Sequence, residues 1–205
     1  MTPLITLLCL ALLGVLPQDT PGWKAKRVAI VVQHSGAHMP LGAAFVSMIQ
    51  RILALRPAKS EAGIVGFDRD FEQLEGNHFR RRAVVLEPFS TDSDELSQTV
   101  RDMVFHGPSP IWDAVMIALG DGKPETTPDR ILLLTNGVDN ASKTTFDDLE
   151  AAARKTAVPV ISIYFPAEPP GGGDTRLKKL VKASGGKFID TRQPNSWELV
   201  VAALQ

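Results

Sequence analysis

Aliphatic residues run unbroken from Val28 to Val32 and stop at a polar stretch that holds Gln33, His34, Ser35, Gly36 and His38. A short run that is apolar at every position, rather than at alternate ones, marks a strand covered on both faces. The polar residues after it are delivered to a rim. Ile131 to Thr135 repeats the arrangement and ends in Asn136-Gly137-Val138-Asp139-Asn140, and Val158 to Phe165 is a third aliphatic run. Shorter strands are predicted over Glu61 to Phe67, Ala83 to Leu86 and Lys187 to Ile189. Between the strands the period changes. Ala44, Phe45, Met48, Ile49, Ile52 and Leu53 fall at helical spacing, so a core-facing helix is predicted over about 41–55, stopped by Pro57.

Asp92 with Glu95 three residues later has the spacing of a capping box, ahead of a helix carrying Leu96, Val100 and Val104. Gly107-Pro108-Ser109-Pro110 ends it and starts the next, Ile111 to Leu119. A helix from about Phe146 to Lys155 is capped by Thr144 or Thr145, and Leu177, Leu180 and Val181 mark another, closed by Ser184-Gly185-Gly186. Ser196 is expected to cap a last helix carrying Trp197, Val200, Val201 and Leu204. Residues 68–82 mix polar and apolar positions and predict no element. Strands alternating with helices predict an α/β fold: a doubly wound, mostly parallel sheet of about six strands with helices on both faces. In such sheets ligands bind beyond the carboxyl ends of the strands, where the strand order reverses.

The chain has 205 residues, 44% of them hydrophobic, which is enough for one domain over 23–205. Its formal net charge is -1, and Arg80-Arg81-Arg82 is the one basic run, expected on a solvated edge or loop. No field for nucleic acid follows from that balance. Leu4 to Leu16 is apolar but shorter than the ~20 residues that span a bilayer, so 1–22 reads as a signal peptide and lead-in. The expected location is therefore exported: secreted, periplasmic or at the cell surface, with membrane contact only through an uncleaved N-terminal segment. Cys9, the single cysteine, lies in that segment, so residues 23–205 hold neither a disulfide nor a cysteine nucleophile.

Three of these stretches, in this order, resemble the von Willebrand factor type A domain. RVAIVV leads into Gln33-His34-Ser35-Gly36-Ala37, where that family has Asp-x-Ser-x-Ser; Ser109 within GPSPIWDAV stands where it has a Thr; ILLLT leads into Thr135-Asn136-Gly137, where it has Thr-Asp-Gly. The resemblance implies that the first and fourth strands are neighbours, that the strand near 83–86 runs antiparallel, and that the three loops meet at a metal-ion-dependent adhesion site. The family's carboxylates are absent. Mg2+ takes about six oxygens, normally with one or two carboxylates among them. These loops offer two amides, Gln33 and Asn136, and two hydroxyls, Ser35 and Ser109, while Ala37 offers nothing.

The resemblance therefore implies a degenerate adhesion site with no cofactor, unless Asp139 turns inward and rescues a weak one. A protein partner is expected at a rim lined by Gln33, Ser35, Ser109 and Asn136, with His38 and Asp139 at its edge. The alternative is that these amides and hydroxyls satisfy one another.

Other chemistries are weaker. His34, His38 and His106 with Asp139 form a histidine rim that would hold Zn2+ or Cu2+ or act as a pH switch. Otherwise the histidines read as exposed loop residues or satisfied groups near the surface. By the two-residue alternation His34 points away from Gln33 and Ser35. Ser35 after a strand invites comparison with a hydrolase nucleophile, but Gln33 and Ala37 stand where the sharp elbow needs glycine. Gly171-Gly172-Gly173-Asp174 and Gly122-Lys123 match no phosphate-binding loop and read as turns. No enzyme activity is expected.

Overall fold

The computed structural model describes residues 23–74, 79–120, 126–166 and 173–205. Six strands form one sheet: β1 (Arg27–Val32), β2 (Glu61–Gln73), β3 (Phe79–Ser90), β4 (Arg130–Thr135), β5 (Val160–Tyr164) and β6 (Lys187–Asp190). Their order is β3-β2-β1-β4-β5-β6, and every pair is parallel except β2 with β3. The helices are α1 (Gly42–Ala54), α2 (Ser93–Arg101), α3 (Ile111–Leu119), α4 (Phe146–Thr156), α5 (Gly173–Ser184) and α6 (Ser196–Leu204). The doubly wound class is as expected from the pattern.

Successive residues of β1 serve two cores, which is why the strand is apolar throughout. Val28, Ile30 and Val32 pack with Phe45, Ile49 and Ile52 of α1 and with Val200 of α6. Ala29 and Val31 face Trp112 and Val115 of α3, Leu149 of α4 and Leu177 of α5. The sheet order reverses at β1, which pairs with β2 on one side and β4 on the other. Gln33 and Asn136 emerge side by side at that switch point.

The helix ends follow local chemistry. Asp92 caps α2 by accepting from the Asp94 N–H at 2.8 Å and the Glu95 N–H at 3.1 Å. Glu95 does not close the box: its carboxylate takes the Ser90 hydroxyl, and Ser90 takes the Asp92 N–H at 2.9 Å. Thr145 caps α4 through the Asp148 N–H at 3.2 Å. Ser196 corrects its expectation: it is the first residue of α6, whose cap position, Asn195, makes no side-chain capping bond.

Three further expectations are overturned. In the range 68–82, for which no element was predicted, residues 68–73 and 79–82 are strand, because β2 and β3 run on as an antiparallel pair beyond the body of the sheet. The register shifts between Phe67 and Phe71 and the outer positions are exposed, so no alternation of burial reaches the sequence. Val104 lies past the end of α2 and is 50% exposed. Arg81 is buried between exposed Arg80 and Arg82, so the basic run is not one solvated edge.

Among the described residues no helix is long and apolar enough to cross a membrane. The predicted signal segment, Cys9, Gly122-Lys123 and Gly171-Gly172 lie outside them. Asp174 opens α5 and pairs with Lys178 at 3.0 Å.

Asp92→Ala should lower stability by about 1 kcal/mol in urea denaturation, the usual cost of a lost cap. Gly186→Ala should cost several times more, because a Cβ there would sit 1.9 Å from the Val160 carbonyl oxygen that the chain must pass to enter β6.

Candidate functional site

Gln33 extends β1 by one bond, its N–H donating to the Leu134 carbonyl at 3.0 Å. Its side chain then joins three loops. Nε2 donates to Ser109 Oγ at 2.8 Å and to the Val138 carbonyl at 3.2 Å. Oε1 accepts from the Thr135 hydroxyl and from the Asn136 N–H at 2.9 Å. An amide has two N–H donors and an oxygen with two lone pairs, so the side chain is fully used. Thr135 Oγ1 accepts the Gly137 N–H at 2.8 Å, and Asn136 Oδ1 accepts the Val138 N–H at 2.9 Å, which folds the loop after β4 back on itself.

A second layer ties that loop to the start of α3. The Ser109 N–H donates to Asn140 Oδ1 at 2.7 Å, and the Asn140 N–H returns to the Ser109 carbonyl at 3.2 Å. Asp139 accepts the Trp112 N–H at 3.0 Å, the Ser142 N–H at 3.2 Å and the Ser142 hydroxyl. Asp113 accepts the N–H groups of Lys143 and Thr144 at 3.0 and 2.8 Å. A carboxylate at a helix N-terminus is favourably placed by the orphan N–H groups and the helix dipole. Burial pushes the Asp139 carboxyl above its ordinary value, against the hydrogen bonds from Ser142 and Trp112.

The structure thus brings Gln33, Ser109 and Asn136 together and buries them: Gln33 is 1% exposed, Asn136 2% and Ser109 3%. Asp139 turns to α3 and not to the site centre. Ser35 is buried at 1%, and its hydroxyl meets no hydrogen-bond partner. A resident Mg2+, which the resemblance implies for this position, does not fit these residues. The oxygen of Gln33 already accepts two bonds, its N–H groups hold Ser109 and Val138, and no carboxylate faces the centre. The unpartnered Ser35 hydroxyl also lacks the base that a nucleophile requires.

His34 points to the other face, as the alternation predicts. Its Nε2 accepts the Phe67 N–H at 2.7 Å, so Nδ1 carries the proton that goes to the Val104 carbonyl at 3.0 Å. The ring stacks on Phe67 with centroids 5.1 Å apart. Burial lowers its pKa to about 4 despite the Val104 bond, and the charges of Arg81 and His106 add to the shift. His38 lies 4.8 Å from the Phe45 ring with both nitrogens buried and unpartnered, and burial alone lowers its pKa to about 4. The expectation that the histidines are exposed or satisfied is therefore corrected for His38, and His34 is satisfied but deep. His106, only partly covered, has its pKa lowered by burial and by Arg81. The histidine rim does not converge: among the described residues no three His, Cys, Asp or Glu side chains gather as a metal site.

No protein-family model and no curated protein matches the chain. Solved structures do. The VWA domain of SpRpn10 is 12% identical over 81% of this chain and 87% of that one, with a TM-score of 0.51. An aerotolerance-related membrane protein from Bacteroides fragilis is 15% identical over 87% and 98%, with a TM-score of 0.60. A von Willebrand factor type A structure from Catenulispora acidiphila is 16% identical over 87% of this chain and 42% of that one, with a TM-score of 0.58. The fold is that of a von Willebrand factor type A domain. Within this fold Gln33, Ser109 and Asn136 meet at the carboxyl ends of β1 and β4, with the Gln33 amide at their centre. Asn140, Asp113 and Ser142, which hold the type A loops in place, were missed in the sequence, where they read only as polar loop positions and the first turn of a helix.

Gln33→Ala should destabilise the domain by about 3 kcal/mol, since it leaves several buried groups without partners. Acid should do so too. Between pH about 6.5 and 4 the unfolded chain binds protons that His34 and His38 refuse in the fold. Stability is thus complete above that window and falls through it, by up to about 3 kcal/mol for each histidine. His38→Phe, which replaces two orphan nitrogens with an apolar ring, should flatten this loss by about half when urea midpoints at pH 7.5 and 4.5 are compared. An unchanged pH dependence would show that His38 is not protected from protons in the fold.

Proposed function

We propose that this chain is a protein-interaction module whose partner face is the rim at the carboxyl ends of β1 and β4, and that it binds without a metal ion. The observation that carries this reading is the Gln33 side chain, which spans the three loops that a bound ion would otherwise join. Contact then falls to residues around the closed centre: Val138 and Asn140 on the β4 loop, His106, and Phe71 and Leu74 on the β2–β3 hairpin, which are each 41% exposed. Gln33, Ser35, Ser109 and Asn136 support that face from beneath, with His38 and Asp139 bracing its edge. An exported location fits the apolar segment Leu4 to Leu16 and the membrane protein among the structures of similar fold.

The test is capture on the immobilised full chain from an exported fraction, with EDTA and with Mg2+. The same partner should be retained in both, and Phe71→Ser or Val138→Arg should weaken retention about tenfold, the scale of one well-placed interface residue. Retention that needs Mg2+ would overturn the reading. Thermal melts after chelation should show no rise in midpoint with Mg2+, Mn2+ or Ca2+, whereas a variant combining Gln33→Asp, Ala37→Ser and Asn136→Asp should gain one with Mg2+.

A further inference from the structure

Where β2 and β3 pass the end of α2 there is a cleft of about 200 Å³, lined among others by His34, Phe67, Arg69, Arg81, Thr99 and Asp102. Arg81 is 3% exposed and is held by carbonyl oxygens alone. Its Nε donates to the Asp68 carbonyl at 2.7 Å, and Nη1 donates to the His106 carbonyl at 2.6 Å and the Pro108 carbonyl at 3.1 Å. Nη2 has no partner. Burial lowers the pKa to about 10, which leaves the guanidinium charged at neutral pH. No carboxylate among the described residues pairs with it, because the nearby Asp68 carboxylate is engaged by Arg82 at 2.6 Å.

Carbonyl dipoles satisfy hydrogen bonds but do not cancel a charge, and the one carboxylate whose charge reaches Arg81, Asp68, is shared with Arg82, so part of the cost of burying this cation stays uncompensated. Arg69, exposed in the same cleft, makes no ion pair among the described residues. Among the described residues the only carboxylate lining the cleft is Asp102, which already accepts from Gln98 Nε2 at 2.9 Å. Two cations against one carboxylate leave the cleft short of a single negative charge. Besides His34 and Thr99, the rest of its lining is apolar: Phe67, Leu86, Met103 and the half-exposed Val104. Phe71 stands opposite Arg81 in the hairpin register, on the same face, with its ring over Gly107.

We propose that this cleft receives the side-chain carboxylate of an aspartate or glutamate, presented by the protein partner between apolar residues that cover Phe71 and Val104. The proposal rests on the interaction reading above and specifies its partner. A guanidinium binds a carboxylate through two parallel bonds, and Arg81 Nη2 with Arg69 supplies unused donors for one. A phosphate dianion fits less well, since it would carry one charge too many, face Asp102 and leave the apolar walls uncovered.

The experiment is isothermal titration of the full chain at pH 7 with acetyl-Leu-Asp-Leu-amide, with its asparagine counterpart and with orthophosphate. The aspartyl peptide should saturate, and the asparaginyl peptide should bind at least about tenfold more weakly, as expected for loss of a charge-assisted pair. Arg81→Ala removes the ties from β3 to β2 and to the loop before α3, and so tests folding as much as binding; the informative variant is Arg69→Ala, whose exposed side chain leaves the melting midpoint unchanged. It should weaken the aspartyl peptide about tenfold and leave the asparaginyl peptide unaffected. Equal binding of the two peptides, phosphate binding as tightly as the aspartyl peptide, no effect of Arg69→Ala, or no binding at all would each overturn the proposal. A partner captured in EDTA and insensitive to Arg69→Ala would sink the carboxylate cleft while leaving the interaction reading in place. Peptide binding with no partner retained would do the reverse.

Discussion

The geometry of the rim depends on the four hydrogen bonds of one amide. Each of the three loops around Gln33 ends a buried element and brings backbone and hydroxyl groups that cannot reach water. They stay together only if something at the centre offers both donors and acceptors. A metal ion offers acceptors nothing but charge, and so needs carboxylates around it. Gln33 offers both, so its neighbours can be hydroxyls, amides and a carbonyl. The neutral set around Gln33 is therefore self-consistent, and putting a carboxylate in place of one of its amides would disturb the pairing.

The second constraint is on the opposite face of the same loop. His34 continues from Gln33 and uses its ring to hold the Phe67 N–H, at the point where the β2–β3 register slips. Arg81 reaches the same junction from β3 and holds the carbonyls of His106 and Pro108, just ahead of Ser109. The hairpin and the loop before α3 are thus positioned by one imidazole and one guanidinium. Both are polar groups in a dry setting, which makes the junction sensitive to protons and to anions in a way that the all-apolar cores beneath it are not.

The elements that could be read from the sequence are those whose burial has a period. The runs at 28–32 and 131–135 and the stripe at 44–53 show which face is covered, and the position of Gln33 beside Asn136 follows from the strand order that the family resemblance implies. The hairpin beyond Phe67 has no such period, because among its described outer positions only Arg81 is buried. Arg81 could not be told from Arg80 and Arg82, since its burial depends on carbonyl oxygens at His106 and Pro108, and backbone acceptors carry no sequence signal. The same holds for Asn140, Asp113 and Ser142, whose partners are mainly N–H groups. His38 presents the opposite problem: its neighbours include an ordinary aromatic, and only the fold shows that both ring nitrogens are sealed from water.

β3 has a further role. It is the outer strand of the sheet and, at 12 residues, far longer than the four-residue β6 at the other margin. A long unpaired strand is a template for the strand of another molecule, and such edges lead to fibrous association unless something spoils them. Here Pro88 removes one N–H from the edge, register shifts against β2 bend it in three places, and Arg80, Arg82 and Glu87 set charges along it. The irregularity that hides the hairpin from a reading of the sequence is thus also what works against the addition of another strand along so long a margin.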